Sequence, residues 1–278
     1  MHTKNEALHK AIKENKVLIA AHRGTNGGNI VQNTSLAYEN ALLHGADIIE
    51  VDVIKSTDGI FYAFHNGEEK VVLGIEEDIR TLSSKEIELL FTQNTSGKKI
   101  SQKLEKLDDI LDKFQHRCFI NIDRSWFYWD EIIEYLQKKN MKEKIILKSH
   151  VEDVLLKKLE QSKSNIMYMP ILKEKEDWNI VNQYDINLVA VELIFDSKNH
   201  WFVSKEFMNE LKKRNLYAWV NAITLDDEHN LSGNMDDNGA IANGFDDNWG
   251  QLIELGFTMI QTDWPALLKR YIQDKIGD

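Results

Sequence analysis

Short apolar runs rich in Ile, Val and Leu alternate along the chain with stretches whose apolar residues recur at helical spacing. The runs Val17–Ala21, Ile48–Val53, Cys118–Ile122, Ile145–Lys148, Ile166–Met169, Leu188–Leu193, Tyr217–Asn221 and Thr258–Thr262 predict strands. They lack polar alternation, as strands of a parallel sheet covered on both faces do. Helices are predicted between most of them, at Leu36–Leu43, Trp129–Lys139, Val151–Glu160, Trp178–Tyr184, Lys205–Arg214, Trp249–Leu255 and Pro265–Ile272. Eight such βα units in 278 residues predict a (β/α)8 TIM barrel.

Two stretches break the rhythm. An extra hairpin strand at Ile60–Phe64 leads into a polar insertion after the second strand, residues 66–105, with one helix near Ser84–Leu90. A second insert, "TLDDEHNLSGNMDDNGAIANGFDDN" at 224–248, interrupts the seventh βα connection and reads as a solvated loop. Its acids lack the spacing of an EF-hand. With no internal repeat and no linker, residues 1–278 are expected to form a single barrel domain.

Composition narrows the field. Charged residues make up 28% of the chain and the net charge is −11, and no Lys/Arg block appears, which argues against a nucleic-acid partner. An anionic substrate would have to be attracted locally, by a metal or a few placed cations. The one cysteine, Cys118, lies in an apolar run and excludes an internal disulfide. No run approaches the roughly 20 apolar residues of a membrane helix, and the start lacks a hydrophobic signal core. A cytoplasmic location is expected, although a secreted or periplasmic protein cleaved of its signal peptide would read the same way. The oligomeric state is not readable.

Charged groups gather where strands end. His22 and Arg23 close the first strand, Glu50 and Asp52 lie in the second, His65 ends the hairpin strand, Asp123 ends the third and Lys148 the fourth. In a (β/α)8 barrel those ends form one rim, where active sites are built. Residues two apart on a strand share a face, so Glu50 and Asp52 project together from "IIEVDV". Paired buried carboxylates repel unless a cation joins them. With Asp123 they make an all-oxygen site suited to one divalent cation, Mg²⁺ or Ca²⁺; the alternative, incidental acids on an exposed strand, fits the apolar setting poorly. His22 and His65 come from different strand ends, as a general acid and a general base flanking a phosphorus require. Arg23 can offer a bidentate fork to a phosphate or make a rim salt bridge. The Gly27-Gly28 loop and the helix start at Asn33-Thr34-Ser35 can supply backbone N–H groups to an anion. Trp219 either walls a pocket for an apolar or glyceryl group or caps the barrel, and Trp264 reads as a cap. The remaining histidines (2, 9, 44, 116, 150, 200 and 229) read as helix or loop positions, with His150, nearest a strand end, kept as a further candidate.

The segments "AHRG", "NTSLAYENALLHGADIIEVDV", "STDGIFYAFHNG", "DIRTLSSKEIELL", "KLDDILDKF", "LYAWVNA" and "LGFTMIQTDWPALLKRY" resemble the glycerophosphodiester phosphodiesterase family, from about Val17 to Tyr271. The resemblance implies a (β/α)8 barrel with a small insertion after the second strand. It makes His22 and His65 the acid/base pair, Arg23 a phosphate ligand, and Glu50 and Asp52 metal ligands. Three departures stand out. The family's Glu-x-Lys at the third strand is Asp123-Arg124-Ser125 here, so the lysine is missing, and Lys148 on the next strand is a possible replacement for substrate binding. The family's Pro-Glu-Asn-Thr is Val31-Gln32-Asn33-Thr34, and its His-Asp is His65-Asn66. An aspartate as third ligand also occurs in the related sphingomyelinase D-type toxins.

The expected function is metal-dependent hydrolysis of glycerophosphodiesters, small-molecule substrates, to glycerol 3-phosphate and an alcohol. The alternatives are a phospholipase of lysophospholipase D or sphingomyelinase D type acting on lipid head groups, and a catalytically silent barrel that binds phosphodiesters.

Overall fold

The computed structural model describes residues 4–139, 141, 143–226 and 229–276; His2 lies outside them. Among the described residues nine strands form: β1 (Leu18–Ala21), β2 (Ile48–Lys55), β3 (Phe61–Ala63), β4 (Phe119–Asp123), β5 (Ile145–His150), β6 (Met167–Leu172), β7 (Ala190–Leu193), β8 (Tyr217–Asn221) and β9 (Met259–Thr262). All except β3 pair in parallel, and pairing of β1 with both β2 and β9 closes an eight-stranded barrel. This is the predicted TIM barrel. Strand β3 is a hairpin partner of β2, with Val53 opposite Ala63.

The helices are α1 (Glu6–Asn15), α2 (Ser35–Leu43), α3 (Ser84–Ile87), α4 (Leu107–Phe114), α5 (Trp129–Lys139), α6 (Asp153–Gln161), α7 (Lys175–Val181), α8 (Lys205–Lys213), α9 (Asp237–Asn243), α10 (Gln251–Leu255) and α11 (Pro265–Ile276). Outward-facing residues such as Ile19, Ile49, Val51, Ile120, Ile122, Leu147, Val191 and Ile260 belong to one buried cluster with the helices' apolar faces. Helix α2 comes so close to the end of β1 that a Cβ on Gly24 would lie 2.7 Å from the carbonyl carbon of Ala37, and Gly24 has φ +76°. Only glycine fits there.

The inward rows position the site. Along several strands they begin apolar and turn polar: Ile48-Glu50-Asp52, Phe119-Asn121-Asp123, Ile146-Lys148-His150, Trp219-Asn221 and Met259-Gln261, each at period two. The apolar members form a plug with Leu18, Ala20, Met167 and Met169, and Leu8 and Ile12 of α1 pack beneath it. The polar members lie above, at the C-terminal mouth.

Both inserts differ from expectation. Residues after β3 carry their own small core, in which Phe64, Val72, Leu73, Ile79, Leu82 and Ile87 pack against Val31, Ile54 and Tyr62, and the predicted helix is confined to α3. The 224–248 segment is not simply a solvated loop. It contains α9, whose Asp237 is buried at 2% exposure. Asp237 accepts hydrogen bonds from Trp249 Nε1 (2.9 Å), Thr262 Oγ1 (2.8 Å) and the backbone N–H of Asp263 (2.8 Å).

Candidate active site

A cavity of about 500 Å³ opens at the C-terminal mouth, and its walls include His22, Arg23, Glu50, Asp52, His65 and Asp123. A groove of about 580 Å³ at the other end, walled by Ile12, Met208, Leu211, Leu216 and Leu255, brings no histidine to its surface. The chemistry is all at the mouth.

Its centre is a carboxylate cluster. Glu50 and Asp52 are buried, and register pairs Asp52 directly with Asp123. One oxygen from each of Glu50, Asp52 and Asp123 lies within 4.8 Å of the others. Burial, with Asp52 and Asp123 nearby, holds the Glu50 carboxyl well above the usual range. Burial pushes Asp52 the same way, but Arg23, His65 and the Asn33 amide outweigh it and hold Asp52 low. Asp52 is ion-paired with Arg23 and Asp123 with Lys148, whereas among the described residues no cationic side chain lies at ion-pair distance from Glu50. The oxygen-only donor set fits a hard divalent cation.

The neighbouring groups orient these ligands. Asn33 donates from Nδ2 to Asp52 Oδ2 (2.9 Å), while its Oδ1 accepts from Tyr38 Oη (2.9 Å) and from the Asp52 backbone N–H (3.2 Å). The Arg23 backbone N–H donates to Glu50 Oε2 (2.8 Å), and its Nε makes an ion pair with Asp52 Oδ2 at 3.1 Å. Arg23 Nη1 reaches Gln32 Oε1 and Glu68 Oε1, each at 3.3 Å. Glu68, from the insertion, thus restores a carboxylate beside Arg23 where Gln32 offers only an amide.

Lys148 is buried between Asp123 Oδ2 (2.5 Å) and Glu192 Oε2 (3.0 Å). Burial alone would lower its pKa, but Asp123, Glu192 and Glu50 raise it above the lysine range. It is therefore a fixed cation on the carboxylate side of the cavity.

The two histidines occupy different environments. His22 Nδ1 lies 2.9 Å from Asp263 Oδ1, an arrangement that orients the ring and fixes its tautomer. His65 is half-buried, its Nδ1 has no hydrogen-bond partner among the described residues, and burial, assisted by Arg23 and Arg124, holds its pKa below the usual imidazole value. His150 also lines the cavity, 4.8 Å from the Trp126 ring.

Three expectations do not hold. Trp219 is fully buried one layer below the mouth, where it belongs to the plug and donates to Asn221 Oδ1 at 2.8 Å; it does not wall the cavity. The period of two explains this, because the next inward residue on β8, Asn221, occupies the wall. Gly27 and Ile30 exchange backbone hydrogen bonds with each other, so the glycine loop closes on itself, and neither glycine lines the mouth. Trp264 is 49% exposed and is not a buried cap of the barrel.

Sequence reasoning also missed residues that the fold brings to the site. Glu192 and Asn221 are linked through Asn221 Nδ2 (2.9 Å), and both line the cavity with Gln261, Arg124 and Trp126. The signal for Glu192 was present, since an acid inside the apolar run "LVAVELI" has the same character as "IIEVDV".

Solved structures of a glycerophosphoryl diester phosphodiesterase from Parabacteroides distasonis (TM-score 0.72, 14% identity, 94% of this chain and 87% of that chain) and a glycerophosphodiester phosphodiesterase from Agrobacterium tumefaciens (0.67, 19%, 91% and 99%) superpose over nearly the whole barrel. The fold is that of the glycerophosphodiester phosphodiesterases. An Oleispira antarctica phosphodiesterase solved in complex with the product sn-glycerol-3-phosphate shares it (TM-score 0.64, 14% identity, 93% of this chain and 97% of that chain). In sequence, the chain is 28% identical over 105 residues to lysophospholipase D GDPD3 of Mus musculus, covering 35% of this chain. It is 37% identical over 65 residues to glycerophosphodiester phosphodiesterase GDPD6 of Arabidopsis thaliana, covering 22% of this chain. The matches span 32% and 17% of those relatives' lengths. A family model described as a domain of unknown function, DUF4996, matches residues 168–272.

Proposed function

We propose that this protein hydrolyses glycerophosphodiesters to glycerol 3-phosphate and an alcohol, with one divalent cation, Mg²⁺ or Ca²⁺, held by Glu50, Asp52 and Asp123. The observation that carries this reading is the three-carboxylate cluster lying in one cavity with two histidines in unlike environments. A bound cation supplies Lewis acidity toward the phosphate oxygens and offsets the repulsion among the carboxylates. Arg23, engaged through Nε and Nη1, adds positive charge on the same side. His65, held neutral by burial, takes the proton from the nucleophile, either water or a neighbouring glycerol hydroxyl; the hydroxyl route gives a cyclic phosphate, which a water must then open to glycerol 3-phosphate. The new P–O bond forms as the P–O bond to the alcohol breaks. His22, oriented by Asp263, gives its proton to the departing alkoxide.

A second reading, a lysophospholipase D acting on lipid substrates, is favoured by one feature. Ile171, Ile194, Ile223, Leu225 and Leu231 form an aliphatic wall on the far side of the cavity. The chain's partial likeness to the mouse lysophospholipase D points the same way.

The test is release of glycerol 3-phosphate from glycerophosphocholine and glycerophosphoethanolamine, with Mg²⁺, Ca²⁺ or EDTA, by wild type, His22→Ala and His65→Ala. Turnover that requires the cation and disappears in both variants is expected. Turnover of lysophosphatidylcholine but not of glycerophosphodiesters would favour the second reading. Phosphodiester binding without turnover of either would make this a silent barrel.

A further inference from the structure

Two arginines leave strand ends in the same unusual way. Arg23 follows His22 after β1, Arg124 follows Asp123 at the end of β4, and each has φ 54°. A left-handed backbone is uncommon for a long side chain, and such strain persists where surrounding structure enforces it, often at functional sites. The backbone N–H of each arginine donates to a carboxylate of the central cluster: Arg23 to Glu50 Oε2 (2.8 Å) and Arg124 to Asp123 Oδ1 (2.6 Å). Each arginine's backbone is thus tied to a carboxylate of the cluster, Arg23 across strands and Arg124 to its own neighbour.

Their side chains differ in what neutralises them. Arg23 is ion-paired with Asp52 and Glu68, and Lys148 with Asp123 and Glu192. The Arg124 guanidinium is tethered instead by a neutral amide, with Nε and Nη2 donating to Asn66 Oδ1 at 3.0 and 2.8 Å. Among the described residues it has no carboxylate at ion-pair distance, and it lines the cavity. The adjacent Ser125, in the place of the lysine expected from the family resemblance, is fully buried, and its Oγ has no hydrogen-bond partner among the described residues. No cation can reach the cavity from that position.

We propose that Arg124 is a phosphate-binding residue of this site: it carries, one position earlier, the positive charge missing at Ser125, and Asn66 in place of an aspartate leaves that charge available to the substrate. Lys148, already held between two carboxylates, is then a support of the cluster and not the replacement. The proposal deepens the phosphodiester reading of the same cavity and rests on it.

The test uses sn-glycerol 3-phosphate and inorganic phosphate as probes, titrated calorimetrically with Mg²⁺ or Ca²⁺ present, on wild type, Arg124→Gln, Arg124→Lys and Asn66→Asp. A charge-assisted contact predicts that Arg124→Gln weakens binding about ten- to a hundredfold, with Arg124→Lys intermediate. Asn66→Asp is the discriminating variant. It turns the tether into an ion pair, so a merely structural role predicts equal or greater thermal stability with unchanged affinity. A phosphate-binding role predicts a loss of about tenfold or more at unchanged fold, together with a shallower salt dependence. Equal binding by wild type, Arg124→Gln and Asn66→Asp, including no binding by any, would overturn the assignment. Turnover of glycerophosphocholine is measured separately. A wild type that binds phosphate through Arg124 but hydrolyses nothing would break the hydrolase reading and leave this one standing.

Discussion

Replacing Lys148 by Met keeps much of the side-chain volume and removes the charge that Asp123 and Glu192 enclose. Breaking a buried pair from one side costs about 3–5 kcal/mol, because the remaining charges stay desolvated. For a chain of this size that corresponds to a fall in Tm on the order of 10 °C. The dependence on pH tests the cause. In the wild type the Lys148 pKa is raised by Asp123, Glu192 and Glu50 despite burial. Its stabilisation is therefore fully present below the ordinary lysine pKa, about 10.4, and constant between pH 5 and 8. In the variant the orphaned carboxylates titrate higher in the folded than in the unfolded state. Their penalty is complete above that raised folded pKa and fades as pH falls toward the ordinary carboxylate range. Denaturant unfolding of both proteins at pH 8, 6.5 and 5 in EDTA should show a gap that narrows with acid, and Mg²⁺ or Ca²⁺ at pH 8 should narrow it too. A variant within about 1 kcal/mol of wild type at pH 8, or an equal gap at pH 5, would refute the argument, since a lost ion pair of this kind should exceed that value.

Asp263→Asn should lower kcat by about tenfold to a hundredfold with little change in KM, because His22 loses the partner that fixes its tautomer; unchanged turnover would dissociate Asp263 from His22. If His65 is the base, the acid limb of kcat/KM should lie below the free imidazole value of about 6.5, since burial lowers its pKa; a limb above 7 would reassign the base. Burial raises the Asp237 pKa to about 7. The folded state then holds a proton that the unfolded state has released, so this group makes stability fall as pH rises from about 4 to about 7. Asp237→Asn should remove that component of the slope in unfolding titrations, and an unaltered slope would show that the group titrates normally.

What was legible follows from where information sits in a chain. The strands were readable because each is an apolar run covered on both sides, and Glu50, Asp52, His22 and His65 because charge in or beside such a run is costly without a purpose. Helix α4 lies outside the predicted set although Leu107, Ile110, Leu111 and Phe114 show the i, i+3, i+4, i+7 pattern. Helix α9, "DNGAIAN", was not readable. Its composition opposes a helix, and the capping Asp236 with the burial of Asp237 holds it. Trp219 was misplaced because the sequence shows that it lies near a strand end, while only the inward row shows that Asn221 stands above it. Arg124 was passed over because it lies between two family positions, and its pairing with Asn66 spans 58 residues.

Helix α1 has one more consequence. With Leu8 and Ile12 packed under Trp219 and Met259, the lower end of the barrel is stoppered. Whatever enters at the mouth must therefore leave by it. Under the proposed hydrolysis, glycerol 3-phosphate is the product whose phosphate Arg23 and Arg124 would hold. It will occupy the doorway that the next substrate needs, so its accumulation should slow the protein competitively, and throughput would depend on how quickly the surroundings clear it.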